Sequence, residues 1–486
     1  MPANPAYPRL SRSRPAPRPG IVHFGPGAFF RALVAVSTQQ AMAARPGDWG
    51  IVAVSLKSAA ARDALMPQGC AFTAVSLGPG GNDRQIIGSI VRVLVAPDDP
   101  AAVLSQLCRR ETRVVSLTIT EKGYGLIPGS HWLDRANADV AHDLANPGAP
   151  RTAAGFIVAA LARRRADGLP GFTVLSCDNL PANGQVMRAA VMAHAAAHGG
   201  ALAEWIAANA RFPSTMVDRI TPAATPEDRR ALAAAAGYDD RACVFHEPFR
   251  QWVIEDDFVA GARPAWEAGG AEFVADVARH ETMKLRCLNG AHSALAYLGL
   301  GAGKATIADA VADPALAAYC RALWGEIVPT IEPPAGADPG AYCNGLLNRF
   351  ANPAIRHRTA QIATDGSQKL PQRLLATISD NLAAGRGIGC LSLAVAAWVH
   401  HAAPAAGSAA PPPDLNDPLA RRLATAAVAA DPVAAFLDIS DVFGPALARD
   451  KRFRTALSRA HAAIAADGAR AAARRAAAVA GENRGG

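Results

Sequence analysis

An α/β domain followed by a mostly α-helical one is the fold class this sequence predicts, and three observations carry it. Strand-like runs alternate with helical stretches as far as residue 275, the pattern of a mainly parallel sheet. Beyond that point the β signal fades and helical patterns dominate, punctuated by Pro and Gly at 333–339 and 402–413. The chain of 486 residues also exceeds what one ordinary core holds, so two domains are expected.

Taken in order, residues 1–20 are rich in Pro and Arg and read as a flexible N-terminal tail. They lack the apolar h-region of a signal peptide, so a cytoplasmic location is expected. The first strand, 21–24, ends in Gly25-Pro26-Gly27 and opens a helix over 29–44. A second strand follows at 51–56, and residues 70–97 hold β segments broken by a turn over 78–83. Then come a helix at 101–109, a strand at 114–119, a long helix at 153–165 and a strand at 172–176. The boundaries predicted are 21–275 for the α/β domain and 276–486 for the helical one.

Composition excludes several classes. Half the residues are hydrophobic and the net charge is only +8, which is not a disordered chain. No uninterrupted apolar run reaches the roughly 18 residues a membrane span needs. The eight cysteines are scattered without CxxC spacing and read as reduced core residues rather than metal ligands. Between Arg449 and Arg475 there are eight Lys/Arg against two acids, so the basic excess is local. With only Phe453 as an aromatic neighbour, this stretch reads as a solvated basic helix face, not a nucleic-acid surface.

The loop GPGAFFRA, residues 25–32, has the chemistry of a dinucleotide site. Gly25 and Gly27 permit a tight turn and close backbone approach to a pyrophosphate. The helix that starts at Ala28 and Phe29 offers free N–H groups and a positive dipole end. Phe30 stands where the third glycine of GxGxxG is expected. At the end of the second strand, an acid would bind the adenosine ribose and a cation the extra phosphate of NADP. The chain has Ser55-Leu56-Lys57-Ser58, with no acid before Asp63, which leaves NAD and NADP both open.

The segment ETMKLRCLNGAHS, 281–293, is the most informative. On a regular helix at about 100° per residue, Lys284, Glu281, His292 and Asn289 share one arc of about 140°. Leu285, Leu288, Met283 and Cys287 surround them. A lysine desolvated there loses pKa and can serve as a base near neutral pH; a solvated face with a Glu281–Lys284 pair is the plainer alternative. Gly290 is costly inside a helix unless close approach requires it. Further polar clusters are TEKGY (120–124, with Glu121), EPFRQW (247–252), SCDNLPANG (176–184), whose Asn179 and Asn183 suit a polyhydroxylated ligand, and DGSQKLPQR (365–373), whose turn delivers Lys369. HExxH fails at Lys284, the P-loop pattern fails at Leu298 and Ala305, and no metal site is predicted.

Together these segments resemble the long-chain mannitol dehydrogenase family, which includes mannitol 2-dehydrogenase and fructuronate reductase (D-mannonate oxidoreductase). The matching stretches are IVHFGPGAFFRA, TITEKGY, FTVLSCDNLPANG, FPSTMVDRITP, EPFRQWVIEDDF, KLRCLNGAHSALAYLG and QIATDGSQKLPQR, in order from residue 21 to 373. The resemblance implies a Rossmann-type domain plus a helical domain, with the active site in the cleft between them. It implies metal-independent hydride transfer between a polyol or aldonate and a nicotinamide cofactor, NAD by family habit with NADP possible. The family's catalytic lysine falls on Lys284, its partners on Asn289, His292 and Asn179, and its proton-exchange glutamate on Glu281. Lys369 looks like a substrate residue, and Arg358 and Arg373 flank the same motif. Gly25, Gly27, Ala28, Phe29, Ser55, Lys57 and Glu121 are the expected cofactor contacts. A basic cleft would favour D-mannonate and D-fructuronate; D-mannitol with D-fructose, and D-arabinitol, are the alternatives. A catalytically silent nucleotide-binding protein is the alternative of another class. No nucleic-acid or membrane partner is expected, and a monomer can complete such a site.

Overall fold

The computed structural model describes residues 7–127, 129–404, 411–412 and 415–482. It divides into two compact units, Met1–Ala278 and Arg279–Gly486.

The first unit holds eleven strands among its described residues: β1 (Pro19–Phe24), β2 (Gly50–Ser55), β3 (Phe72–Gly78), β4 (Gly81–Ile87), β5 (Ile90–Val95), β6 (Val114–Leu117), β7 (Thr173–Ser176), β8 (Thr215–Asp218), β9 (Val244–His246), β10 (Gln251–Glu255) and β11 (Ala271–Val274). Five of them form a parallel sheet in the order β5-β2-β1-β6-β7. Both faces are covered, so its strands are nearly continuous apolar runs. Successive side chains point to opposite faces. Ile21, Ile51, Ala53 and Val114 join a core with Trp252 and Trp266, whereas Val22, Phe24, Val52 and Val115 pack with Phe156, Ile157 and Met187. The order reverses between β1 and β6, and ligands of open α/β sheets bind at such a switch point.

Two three-stranded sheets complete the unit, β4-β3-β9 and β11-β10-β8. The hairpin β3–β4 matches the predicted turn over 78–83. Strands β8 to β11 have only three to five residues each, too few for a period-2 pattern to stand out.

The N-terminal segment is a correction to the sequence reading, because from residue 7 it is not a flexible tail. Leu10 is buried, Arg9 bridges to Asp239, and Arg12 donates to the carbonyls of Gly69 at 2.6 Å, Gly88 at 2.8 Å and Ile90. The five donors of one guanidinium suit it to capturing such carbonyls. Residues 1–6 of the expected tail lie outside the described residues.

The second unit is helical. The helix Gly389–His401 is buried nearly all round, as a helix without a polar face must be. It packs against Ala291–Gly301, Pro314–Ile327 and Lys451–Glu482. The last of these kinks at Gly468 (φ 77°) and buries Phe453, Leu457, Ile464, Ala469, Ala472 and Ala473. The basic stretch is therefore solvated on one side only, and its other side is core. Seven of the eight cysteines are buried and Cys108 is half-buried. Among the described residues no helix is long and apolar enough to cross a membrane.

Candidate active site

In the first unit, the loop after β1 has its expected construction. Gly25 sits at φ +91°, and a Cβ there would stand 2.1 Å from Thr118 O, so only glycine fits. Gly27 has φ −70° and no side-chain cap, and its Cβ direction is open, the nearest atom 3.9 Å away. That open backbone, followed by the uncapped N–H groups of Ala28 and Phe29, is where a pyrophosphate could approach. The absent third glycine has a reason: Phe30 is buried and stacks on His23, ring centroids 3.6 Å apart. His23 lies within hydrogen-bond distance of Ser116 Oγ (2.8 Å) and Thr118 Oγ1 (3.1 Å). Burial pushes its pKa down to about 3, against the hydrogen bond with Gly25 O. The helix then widens into a π turn over Arg31–Ala35, where Arg219 of the VDRITP stretch donates to Ala32 O at 2.6 Å. Ser55 ends β2 half-buried, and Lys57 and Glu121 are exposed.

The TEKGY and CDN segments form one platform through Asp178. Its carboxylate accepts the N–H groups of Thr120 (2.8 Å) and Ile119 (3.2 Å) and the hydroxyl of Tyr124 (3.0 Å). Burial raises the Asp178 pKa, and these bonds oppose that rise. Thr120 adopts φ +64° at this junction, a conformation rare for a β-branched residue. Asn183, offered by the sequence as a ligand contact, is fully committed instead. Its amide donates to Asp178 O (2.9 Å) and Thr215 O (2.8 Å), and its oxygen accepts Thr215 N–H (2.9 Å). Asn179 is exposed beside it.

In the second unit, the Lys-Asn-His segment departs from the predicted regular helix. An α-helix over Ala278–Met283 passes into a π turn over Lys284–Gly290, then back to α at Ala291–Gly301. In a π turn, wound with i→i+5 hydrogen bonds, residues five apart such as Lys284 and Asn289 lie nearer in phase than the roughly 140° of the α form. Lys284, Asn289 and His292 are only 7%, 6% and 6% exposed, so all three are shielded from solvent; Glu281 is half-buried. Gly290 earns its place by close approach: a Cβ there would lie 3.0 Å from Arg373 O, in a further π turn, Pro371–Leu375.

His292 stacks on Phe350 (4.6 Å) and meets His357 edge-on (5.0 Å). Among the described residues its Nε2 has no hydrogen-bond partner. Its pKa is driven well below the usual value by burial first, then by His357, Arg373 and Arg349. The imidazole is therefore neutral, with a nitrogen able to bond a ligand. Arg373 donates to Ser293 Oγ at 3.1 Å, and burial lowers its pKa to about 10. Lys369 is held by Thr364 O at 2.6 Å; burial, then Arg373, lowers its pKa to about 8. Arg358 is exposed, at the start of the helix Thr359–Ile362. The sequence reading missed His357, Arg349 and Phe350. Arg349 and Phe350 lie about 60 residues from the lysine segment with no local signal, whereas His357 neighbours Arg358 in an otherwise basic run.

Comparison with known proteins places the chain in one family. Residues 19–268 match the mannitol dehydrogenase Rossmann domain and residues 276–465 the mannitol dehydrogenase C-terminal domain. D-mannonate oxidoreductase of Escherichia coli is 44% identical over 460 residues, covering 93% of this chain and 94% of that one. Mannitol 2-dehydrogenase of Pyrenophora tritici-repentis is 39% identical, covering 93% and 80%. The structure of Pseudomonas fluorescens mannitol 2-dehydrogenase, a ternary complex with NAD and D-mannitol, superposes with a TM-score of 0.86 at 38% identity, covering 97% and 96%.

Proposed function

The chain belongs to the mannitol dehydrogenase family of oxidoreductases acting on CH–OH groups, and on that premise we propose that it interconverts D-mannonate and D-fructuronate with NAD(H). The observation that carries this reading is the shielded trio Lys284, Asn289 and His292, with the unpartnered Nε2 of His292 among cations.

The cofactor reading rests on this chain's own loop. The open backbone at Gly27 and the N–H groups of Ala28 and Phe29 suit a pyrophosphate, with Gly25 making the turn. Ser55 at the end of β2 and Lys57 just after it suit the adenosine end, and Glu121 in the TEKGY segment completes the proposed contacts. NAD, when bound, supplies the hydride acceptor. The absence of an acid at 55–58 leaves NADP as a usable second cofactor.

The protein's own part is proton and charge management. Lys284, as the neutral amine, accepts the hydroxyl proton of the carbon being oxidised. Asn289 donates to the alkoxide as charge grows on it, which is worth most in a dry site; the resemblance gives Asn179 the same role. Neutral His292 orients the same oxygen through Nε2, and Glu281 passes the proton from Lys284 to water. The oxyanion is served by amides and an amine, so the scheme needs no metal ion.

Sugar acid rather than polyol is supported by charge. Arg349, Arg373 and His357 all disfavour a proton on His292, and Lys369 adds a further cation near His357. A desolvated carboxylate paired with such a group gains about 1.5–3 kcal/mol. The 44% identity to a D-mannonate oxidoreductase points the same way. The second reading, D-mannitol with D-fructose, is supported by the mannitol complex of the 38% identical structure. An absorbance screen of D-fructuronate, D-fructose, D-mannonate, D-mannitol and D-arabinitol with both cofactors separates them. The acid reading expects the highest kcat/KM on D-fructuronate with NADH, and activity confined to neutral polyols contradicts it.

A further inference from the structure

The described residues contain three π turns, Arg31–Ala35, Lys284–Gly290 and Pro371–Leu375. A π turn is an uncommon, single-turn departure from the α ladder, frequent at functional sites. In each case a side-chain donor takes a carbonyl of the turn. Arg219 takes Ala32 O at 2.6 Å, Trp324 takes Cys287 O at 2.9 Å, and Ser379 takes Leu375 O at 3.1 Å.

Trp324 differs from the other two in what its ring does. It is 4% exposed and stacks with Phe350 (6.4 Å, 24°), which stacks in turn with His292 (4.6 Å, 17°). One side chain thus grips the turn between Lys284 and Asn289 by its N–H and backs His292 by its ring. On another side of the turn, Gly290 leaves room for Arg373 O.

We propose that Trp324 is a positioning residue: its Nε1–H bond to Cys287 O keeps the 284–290 turn in the π form and so sets Asn289 against Lys284. Were the turn to relax to α, residues five apart would stand about 140° from one another, and the amide would leave the oxygen that the amine deprotonates. This rests on the proposed role of Lys284 as base, and the two claims fail separately. A fully active Lys284→Ala protein removes the base, whereas an inactive one beside an unaltered Trp324→Phe protein removes only the clamp.

The test is Trp324→Phe, which keeps a ring against Phe350 and deletes the donor. On the better of D-fructuronate and D-fructose, kcat is expected to fall about 10- to 100-fold with KM within about threefold. The midpoint of the pH–kcat profile should move, while NADH affinity by fluorescence and cooperative unfolding stay near wild type. A purely structural tryptophan would lower the melting temperature but leave kcat per folded molecule and its pH profile untouched, and that result overturns the proposal. If Trp324→Phe does not fold, Gly290→Ala strains the same turn from the Arg373 side. The same kcat loss is expected there, and unchanged kcat with an unchanged pH profile overturns the proposal equally.

Discussion

The nucleotide loop of the first unit and the lysine segment of the second use one device for opposite purposes. Each has a π turn within the helical stretch that carries its motif, Arg31–Ala35 and Lys284–Gly290. In the proposed function the loop acts through its backbone, where Gly25 and Gly27 clear space beside uncapped N–H groups. In the lysine segment the proposed function falls to side chains, and the π turn is the backbone that carries them. A backbone site announces itself through glycine, and at Gly25 nothing else fits. A side-chain site announces its residue types, but its geometry depends on how the helix is wound.

The most severe way to break the first region is Gly25→Val. The φ of +91° and a Cβ 2.1 Å from Thr118 O leave no room, so loss of soluble protein, or at least of NADH binding, is expected. The conformational strain alone costs about 1–3 kcal/mol. Gly27→Ala sharpens the contrast, since its φ of −70° and open Cβ direction allow normal folding. There, a melting temperature near wild type with weaker NADH binding by fluorescence titration is the expected pair of results.

The second region breaks by a side-chain change with the backbone intact. Lys284→Ala should lower kcat/KM by about 10²-fold or more, roughly 3 kcal/mol, with NADH affinity nearly unchanged. Near-wild-type turnover in a folded variant would contradict the base role and revive the reading of a silent nucleotide-binding protein.

A smaller effect tests the acid preference. Lys369→Met removes a cation held beside Thr364, and steady-state kinetics should show about a tenfold loss on D-mannonate against threefold or less on D-mannitol. Equal losses on both substrates would count against the charge argument.

A last effect is on stability rather than on turnover. Burial holds His23 at about 3 and His246 at about 4, below the 6.5 of a free imidazole. Below pH 6.5 the unfolded chain takes up protons that the folded one refuses, so stability falls as pH drops from 6.5 toward 4. The loss approaches about 1.4 kcal/mol per pH unit for each histidine kept neutral. Scanning calorimetry at pH 7.5 and 5 should show it, and His23→Gln should flatten the slope.

Much of the first unit was legible from alternating apolar runs and glycines, because a doubly covered parallel sheet imposes both. Strands β8 to β11 were not, since runs of three to five residues are too short for a pattern to stand out. In the second unit the polar set around Lys284 stood out against apolar neighbours, yet a periodicity of 3.6 cannot reveal a π turn. Asn183 looked like a ligand contact because an amide's chemistry is the same whether it meets a sugar or, as here, the backbone of Thr215. The basic C-terminal stretch concealed a core helix, because Phe453, Leu457 and Ile464 are sparse among alanines and arginines.

The measurement that bears most directly on the central claim is NADH oxidation by the purified full-length chain, followed at the nicotinamide absorbance with D-fructuronate and with D-fructose. Turnover of D-fructuronate at a kcat/KM at least about tenfold above that for D-fructose, abolished by Lys284→Ala, is the predicted result. No oxidation of NADH or NADPH with either ketose, or a tenfold preference for D-fructose, would contradict it.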